Sequence, residues 1–185
     1  MSTPATTPLE TQRLTLLPCA PDQLVALIEQ PERFEAITGL APEEELRGFY
    51  RSGDVSPQWL AALGAGGPPD PWRHGFFVVE RESGRLIGSA GFKGPPDHEG
   101  MVEIAYGIVP SREGRGYATE AAGALMRFAG ADARVRTLRA HTLPTPNAST
   151  KVLGKCGFLH IADVVDPDDG PVWRWERSAP HIGSP

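Results

Sequence analysis

A strand, a glycine-punctuated turn and a helix follow one another in "MVEIAYGIVPSREGRGYATEAAGALMRFA", Met101 to Ala129, and any fold of this chain must accommodate that order. From Tyr117 to Ala129 the positions Ala118, Ala121, Ala122, Leu125 and Phe128 recur at helical spacing, which predicts an amphipathic helix packed on a sheet. Gly114 and Gly116 fall in the turn before it, where missing side chains let backbone N–H groups approach a ligand closely. The first amides of a helix have no internal partner and carry the positive end of its dipole, so such a turn suits a phosphate group. Thr119 adds a hydroxyl, and Arg112 and Arg115 add charge; a diphosphate fits this description. The same glycines also suit a turn that merely joins a strand to a helix. No Gly-Lys-Ser/Thr follows, so this is not a nucleotide P-loop, and the third glycine of the dinucleotide fingerprint is missing.

The rest of the chain mixes strands and helices without an internal repeat. "RLTLLPC" (Arg13 to Cys19) reads as a strand, followed by a helix around Asp22 to Glu29. Between Pro31 and Pro71 the pattern is weaker, with short helices at "PEEELRGFY" and "SPQWLAAL". "HGFFVVERE" and "GRLIGSAGFK" form a hairpin through Ser83-Gly84, and Met101 to Val109 is the next strand. After the helix come a strand at "VRTLRAHT", a short helix at "STKVLGKC" closed by Gly157, and a final hairpin of "FLHIADVV" and "PVWRWER". That order predicts an α/β or α+β domain with one mixed sheet.

At 185 residues with 40% hydrophobic content, the chain suits one buried core. The expected boundaries are a flexible N-terminus over residues 1–8, a domain over 9–177 and a flexible tail over 178–185. A net charge of -5 argues against a protein that grips nucleic acid. Cys19 and Cys156 form neither a CxxC pair nor a disulfide framework, and no paired histidine spacing points to a metal. There is no run of eighteen apolar residues and no basic, apolar leader, so the expectation is a cytoplasmic protein without a membrane partner.

The run "EIAYGIVPSREGRGYATEA" followed by "NASTKVLGKCGF" resembles the GNAT superfamily of acyl-CoA N-acyltransferases, in particular its RimJ/RimL-type branch; the resemblance spans Leu9 to Arg177 and includes "LETQRLTLLP". It implies a mixed, mostly antiparallel sheet flanked by helices, whose fourth and fifth strands splay apart around the pantetheine arm of acetyl-CoA. Those strands are Val102 to Val109 and Val135 to Thr142, with the backbone of Ile108 and Val109 pairing with pantetheine amides. The family's Gln/Arg-x-x-Gly-x-Gly/Ala loop falls on Glu113, Gly114, Arg115, Gly116, Tyr117 and Ala118. Glu thus stands where Gln or Arg is usual, and an acidic side chain beside a diphosphate is unfavourable unless it turns to solvent.

The implied reaction moves an acetyl group directly from acetyl-CoA to a primary amine and needs no metal. A base must take the amine's proton, and an acid must supply one to the leaving thiolate. Glu103, between Val102 and Ile104, is the candidate base, because a carboxylate in an apolar strand is costly to bury without work or a partner. It could act directly or through a water, an alternating strand could instead turn it to solvent, and His74 is a rival. By resemblance Asn147 and Ser149 contact the cofactor, and Ser149 is the candidate acid. The branch spacing is Asn-x-x-Ser, whereas here it is Asn147-Ala148-Ser149, and both residue types are also preferred helix caps.

The acceptor is expected along Phe34 to Leu63 and Trp72 to Gly75, with Tyr50, Trp59 and Trp72 as aromatic walls. By resemblance it is a peptide N-terminus or a small-molecule amine, and homodimers are common in the branch. A non-catalytic CoA-binding or structural module on the same fold is the alternative.

Overall fold

The computed structural model of the chain describes residues 7–53 and 55–180. The expectations for residues 1–6 and 181–185 lie outside the described residues. An 8-stranded sheet runs through the molecule. Its strands are β1 (Leu9–Glu10), β2 (Leu14–Pro18), β3 (Phe76–Glu80), β4 (Leu86–Phe92), β5 (Met101–Ile108), β6 (Thr137–Thr142), β7 (Leu159–Asp166) and β8 (Gly170–Ser178). Their order is β1-β2-β3-β4-β5-β6-β8-β7, with every neighbouring pair antiparallel except β5 and β6. A parallel pair needs a long crossover, and here it contains the predicted helix.

The helices are α1 (Pro21–Glu29), α2 (Pro31–Thr38), α3 (Glu44–Arg51), α4 (Pro57–Leu63), α5 (Pro71–His74), α6 (Tyr117–Gly130) and α7 (Ala148–Lys155). They cover both faces of the sheet. Consecutive residues of β3 point to opposite sides: Phe76 meets Phe128 of α6 at 5.5 Å and Phe77 meets Phe34 of α2 at 5.4 Å. A strand buried on both faces has no polar side to show, which explains the unbroken apolar run "FFVV". On α6 the fully buried positions include Ala121, Ala122 and Leu125, whose small or compact side chains seat the helix close to the sheet.

Several expectations need correction. Trp72 and Tyr50, expected as aromatic walls of the acceptor site, are core residues: Trp72 packs on Phe92 and Phe128 at 4.6 and 5.0 Å, and Tyr50 stacks on Trp59 and is only 7% exposed. The weak stretch after Pro31 hides the helix α2, whose only buried residue is Phe34, so it carries almost no periodicity. At the other end β8 runs to Ser178, and Ala179 is buried with its N–H on the Arg136 carbonyl at 2.9 Å. No helix among the described residues is long and apolar enough to cross a membrane.

Candidate active site

The sheet opens at its parallel seam. β5 and β6 pair only from Met101–Thr137 to Glu103–Arg139. Beyond that point β5 stays with β4 up to Ile108, and β6 stays with β8 up to Thr142, so the two strands part and leave a gap between them. Main-chain groups alternate along a strand. The Val109 N–H bonds the Ile87 carbonyl at 2.9 Å and its own carbonyl accepts from Arg112 N–H at 2.9 Å, which corrects Val109 as a source of free main-chain groups. Ile108, one residue earlier, directs its main-chain groups the other way, into the gap.

The wide end of the gap leads to the glycine turn. A short 3₁₀ turn (Pro110–Arg112) follows β5, and then Gly114 and Gly116 adopt φ of 72° and 84°, left-handed values that an L side chain rarely takes. Among the described residues the amides from Gly114 to Thr119 find no backbone acceptor, and the first N–H to do so is that of Glu120, on the Gly116 carbonyl at 3.1 Å. They are orphan donors at the positive end of a 14-residue helix. Glu113 is exposed, so its carboxylate stands off in water. Ala118 and Thr119 are half-buried.

The two arginines of the turn differ. Arg115 is exposed and, among the described residues, has no ion pair. Arg112 is turned inward, with Nη1 on Glu80 Oε2 at 2.8 Å and Nη2 3.6 Å from Glu43 Oε1, so its charge already has partners in the protein. Glu80, 4% exposed on β3, also accepts hydrogen bonds from the Ser83 and Tyr117 hydroxyls. Those two bonds, then Arg112 and Arg115, hold its carboxyl below the usual carboxylate range against the opposing effect of burial, and the Glu80 bond pushes the Tyr117 phenol up. One buried carboxylate thus fastens residues on both sides of the glycines.

A second clamp comes from the N-terminal segment. Arg13 Nε bonds Glu120 Oε2 at 2.9 Å, Arg13 Nη1 bonds the Arg115 carbonyl at 2.8 Å, and the guanidinium lies 4.5 Å over the Tyr117 ring. A Cβ at Gly116 would stand 3.2 Å from Arg13 Nη2.

At the narrow end, Glu103 is the last β5 residue paired to β6. Its Oε1 bonds Lys93 Nζ at 2.9 Å and His141 Nδ1 at 2.8 Å, and its side chain is 15% exposed. His141 lies two residues beyond Arg139, the register partner of Glu103, so the contact is the diagonal one between residues on the same face. Burial opposes the Lys93 charge, yet the Glu103 hydrogen bond, with Asp169 and Asp166 nearby, raises its pKa.

On the β6 side of the seam a cavity of about 410 Å³ is lined by His141, Thr142, Leu143, Asn147, Ala148 and Ser149. Asn147 caps α7: its Oδ1 accepts from Thr150 N–H at 3.0 Å, and Thr150 Oγ1 accepts from the Asn147 N–H at 3.0 Å. Its carbonyl oxygen is therefore used by the fold. Ser149 is half-buried in the first turn. The Tyr106 hydroxyl lies close by, buried and without a well-formed hydrogen bond among the described residues; burial pushes its pKa up, then Cys156, against the nearby Ser149.

His74 is remote from this chemistry. It ends α5, its Nδ1 accepts from the Asp70 N–H at 3.2 Å, and burial lowers its pKa. Cys19 and Cys156 are buried thiols whose pKa values burial raises.

The sequence reading missed Lys93, His141, Arg174, Tyr106 and Glu80. Period-two alternation puts Arg139 and His141 on one face of their strand, but only the β5–β6 register brings that face to Glu103.

A family model for an acetyltransferase (GNAT) domain matches residues 13–159. Over 90 residues the chain is 32% identical to YjdG, an uncharacterized N-acetyltransferase of Bacillus subtilis (strain 168); the match covers 49% of this chain and 51% of that protein, about half the length of each. Among solved structures the chain is similar to an acetyltransferase (GNAT family) from Bacillus anthracis, with a TM-score of 0.60 and 16% identity over 94% of this chain and 99% of that one. It is also similar to RimL, a ribosomal L7/L12 alpha-N-protein acetyltransferase in complex with coenzyme A, with a TM-score of 0.62 and 14% identity over 95% and 99%. At these identities the two structures speak for the fold.

Proposed function

Because the chain belongs to the acetyltransferase (GNAT) domain family, we propose that it moves an acetyl group from acetyl-CoA to a primary amine, either the N-terminal α-amine of a protein or the amine of a small molecule. The observation that carries this reading is the opened seam between β5 and β6, with orphan amides at one end and a half-buried carboxylate at the other.

The residues fit acetyl-CoA. The amides of Gly114 to Thr119 and the guanidinium of Arg115 would meet its diphosphate, while Ile108 would offer main-chain groups along the gap. The buried Tyr106 hydroxyl and Ser149 would border the thioester end. Arg112, Glu113 and Asn147 stay outside this set, the first and last because other residues already engage them. Bound there, the thioester supplies an activated acetyl carbonyl. Glu103 receives the proton that the amine must shed as its nitrogen forms the new C–N bond. Ser149 would pass a proton to the sulfur as the C–S bond breaks and recover one from water, while Glu103 returns its proton to solvent, leaving an amide and free CoA.

Release of CoA thiol from acetyl-CoA, measured with short peptides bearing a free α-amine, amino acids and polyamines, tests the reading. Turnover with at least one amine is the expected result. Thermal stabilisation by acetyl-CoA with no thiol release from any of them would instead mark a binding module.

A further inference from the structure

Arg174, His141 and Glu103 form a hydrogen-bonded chain across the narrow end of the gap. Arg174 stands directly opposite His141 in the β6–β8 ladder, and its Nε–H donates to His141 Nε2 at 3.2 Å. A guanidinium keeps its protons, so the imidazole nitrogen that accepts from it is bare. The ring hydrogen then sits on Nδ1, which donates it to Glu103 Oε1 at 2.8 Å. Lys93 holds the same oxygen at 2.9 Å. Among the described residues no protein group bonds Oε2 of Glu103. The His141 side chain, 10% exposed, is also part of the cavity wall that contains Ser149.

Resting on the acetyl-transfer reading above, we propose that His141 is a positioning residue: its neutral imidazole, locked in the Nδ1–H tautomer by Arg174, fixes Glu103 through Oε1 and leaves Oε2 as the oxygen offered to the acceptor amine. The physical need is plain. A carboxylate on a strand that is leaving its neighbour has no ladder beyond it to restrain its rotamer, and a misplacement of about 1 Å at a reacting group costs on the order of 10²-fold in rate. Two cationic or donor groups on one oxygen remove that freedom while sparing the other oxygen.

Three replacements of His141 separate positioning from packing. In His141→Asn the amide nitrogen takes the place of Nδ1 and can still donate to Glu103; in His141→Gln the amide reaches the Nε2 position instead; His141→Ala has neither. With acetyl-CoA and the amine that turns over best in the panel, His141→Ala and His141→Gln are expected to lose roughly 10²-fold in kcat, with KM for acetyl-CoA unchanged. His141→Asn is expected to stay within about tenfold of the parent. Asn as damaged as Ala, or Ala as active as the parent, would overturn the proposal. Glu103→Gln distinguishes the two levels: if it is fully active, the base assignment itself fails, and if it is inactive while His141→Ala is not, only the role of His141 falls.

A second measurement is independent of any acceptor. In ¹⁵N-histidine spectra of the full chain, the signal absent from His141→Asn should show a protonated Nδ1 and a bare Nε2. A protonated Nε2 would sink the proposal whatever the kinetics.

Discussion

The two ends of β5 are held by different means. Where the strand leaves the sheet, the binding surface is backbone: orphan amides and two glycines, kept in shape by side chains that point away from it toward Glu80 and Glu120. Where the strand meets β6, the surface is side chain: a carboxylate held by a lysine after β4 and a histidine on β6, the histidine held in turn by an arginine on β8. A backbone surface tolerates a poor side chain, which is why Glu113 can stand in the family's loop with its carboxylate in solvent. A side-chain surface tolerates no change of register, since a one-residue slip would send every one of its members to the other face.

The sharpest test of this contrast removes chemistry without touching the fold. Glu103→Gln keeps the shape of the side chain and loses its basicity, so kcat should fall by about 10²- to 10⁴-fold while the melting temperature and the acetyl-CoA affinity stay close to the parent's. A fall in affinity as large as the fall in kcat would mean that the two ends of β5 are one coupled unit and that the contrast is wrong.

Glu80→Ala attacks the other end. It strips the partner from a largely buried arginine and leaves the Ser83 and Tyr117 hydroxyls without their acceptor. Removing one member of a buried ion pair costs about 3 kcal/mol, and for a chain of this size that lowers the melting temperature by roughly 10 °C. Acetyl-CoA affinity should fall with it, because both sides of the glycine turn come loose, yet kcat at saturation should change little. The same carboxylate gives a pH signature. Its folded pKa lies below the ordinary 4.5, so its stabilisation is complete above about pH 4.5 and is lost as pH falls through the lower folded value. The difference in melting temperature between parent and Glu80→Gln should therefore shrink on acidification; a difference that grows in acid would show the carboxylate to be a cost to the fold.

Gly116→Ala is a smaller insult to the same turn. The residue sits at φ 84°, and its new Cβ would come to 3.2 Å from Arg13 Nη2. Left-handed backbone costs an alanine about 1–2 kcal/mol, and the same amount should appear as a roughly 10-fold weaker binding of acetyl-CoA if the turn relaxes to escape it. Equal affinity in a destabilised protein would mean that the amides do not depend on this conformation.

How much of this could be read from the sequence follows from the same contrast. The turn was legible because everything that defines it lies in one continuous run, Met101 to Ala129: the strand before, Gly114 and Gly116 at left-handed positions, and the alanine spacing of the helix after. Its clamps were not, since Glu80 lies 37 positions from Tyr117 and Glu120 lies 107 from Arg13. Glu103 was identifiable as a carboxylate in an apolar strand, but its choice between solvent and a partner rested on His141, 38 positions away, and on a register no local pattern encodes. Two of the three aromatic walls expected for the acceptor were misread for a simpler reason. Tyr50 and Trp72 look like pocket walls in sequence, and in three dimensions they fill the core.

Tyr106→Phe carries the smallest effect and bears most directly on what lies between the two ends. The Tyr106 hydroxyl is buried and only loosely engaged by Ser149, without a well-formed bond, and a buried hydroxyl so poorly paired costs on the order of 1 kcal/mol. Deleting the oxygen should leave the free protein as stable as before or slightly more so. If the hydroxyl is kept in that state because it meets the thioester end of acetyl-CoA, the stabilisation that acetyl-CoA confers should shrink at the same time. The two changes have opposite signs, and general packing damage produces only losses. A free protein that melts lower, with an undiminished acetyl-CoA shift, would make Tyr106 an ordinary core residue. Of the two hydroxyls assigned to the thioester end, Ser149 would then be the one left to meet acetyl-CoA, and the backbone end of β5 would have to supply nearly all of the affinity for the cofactor.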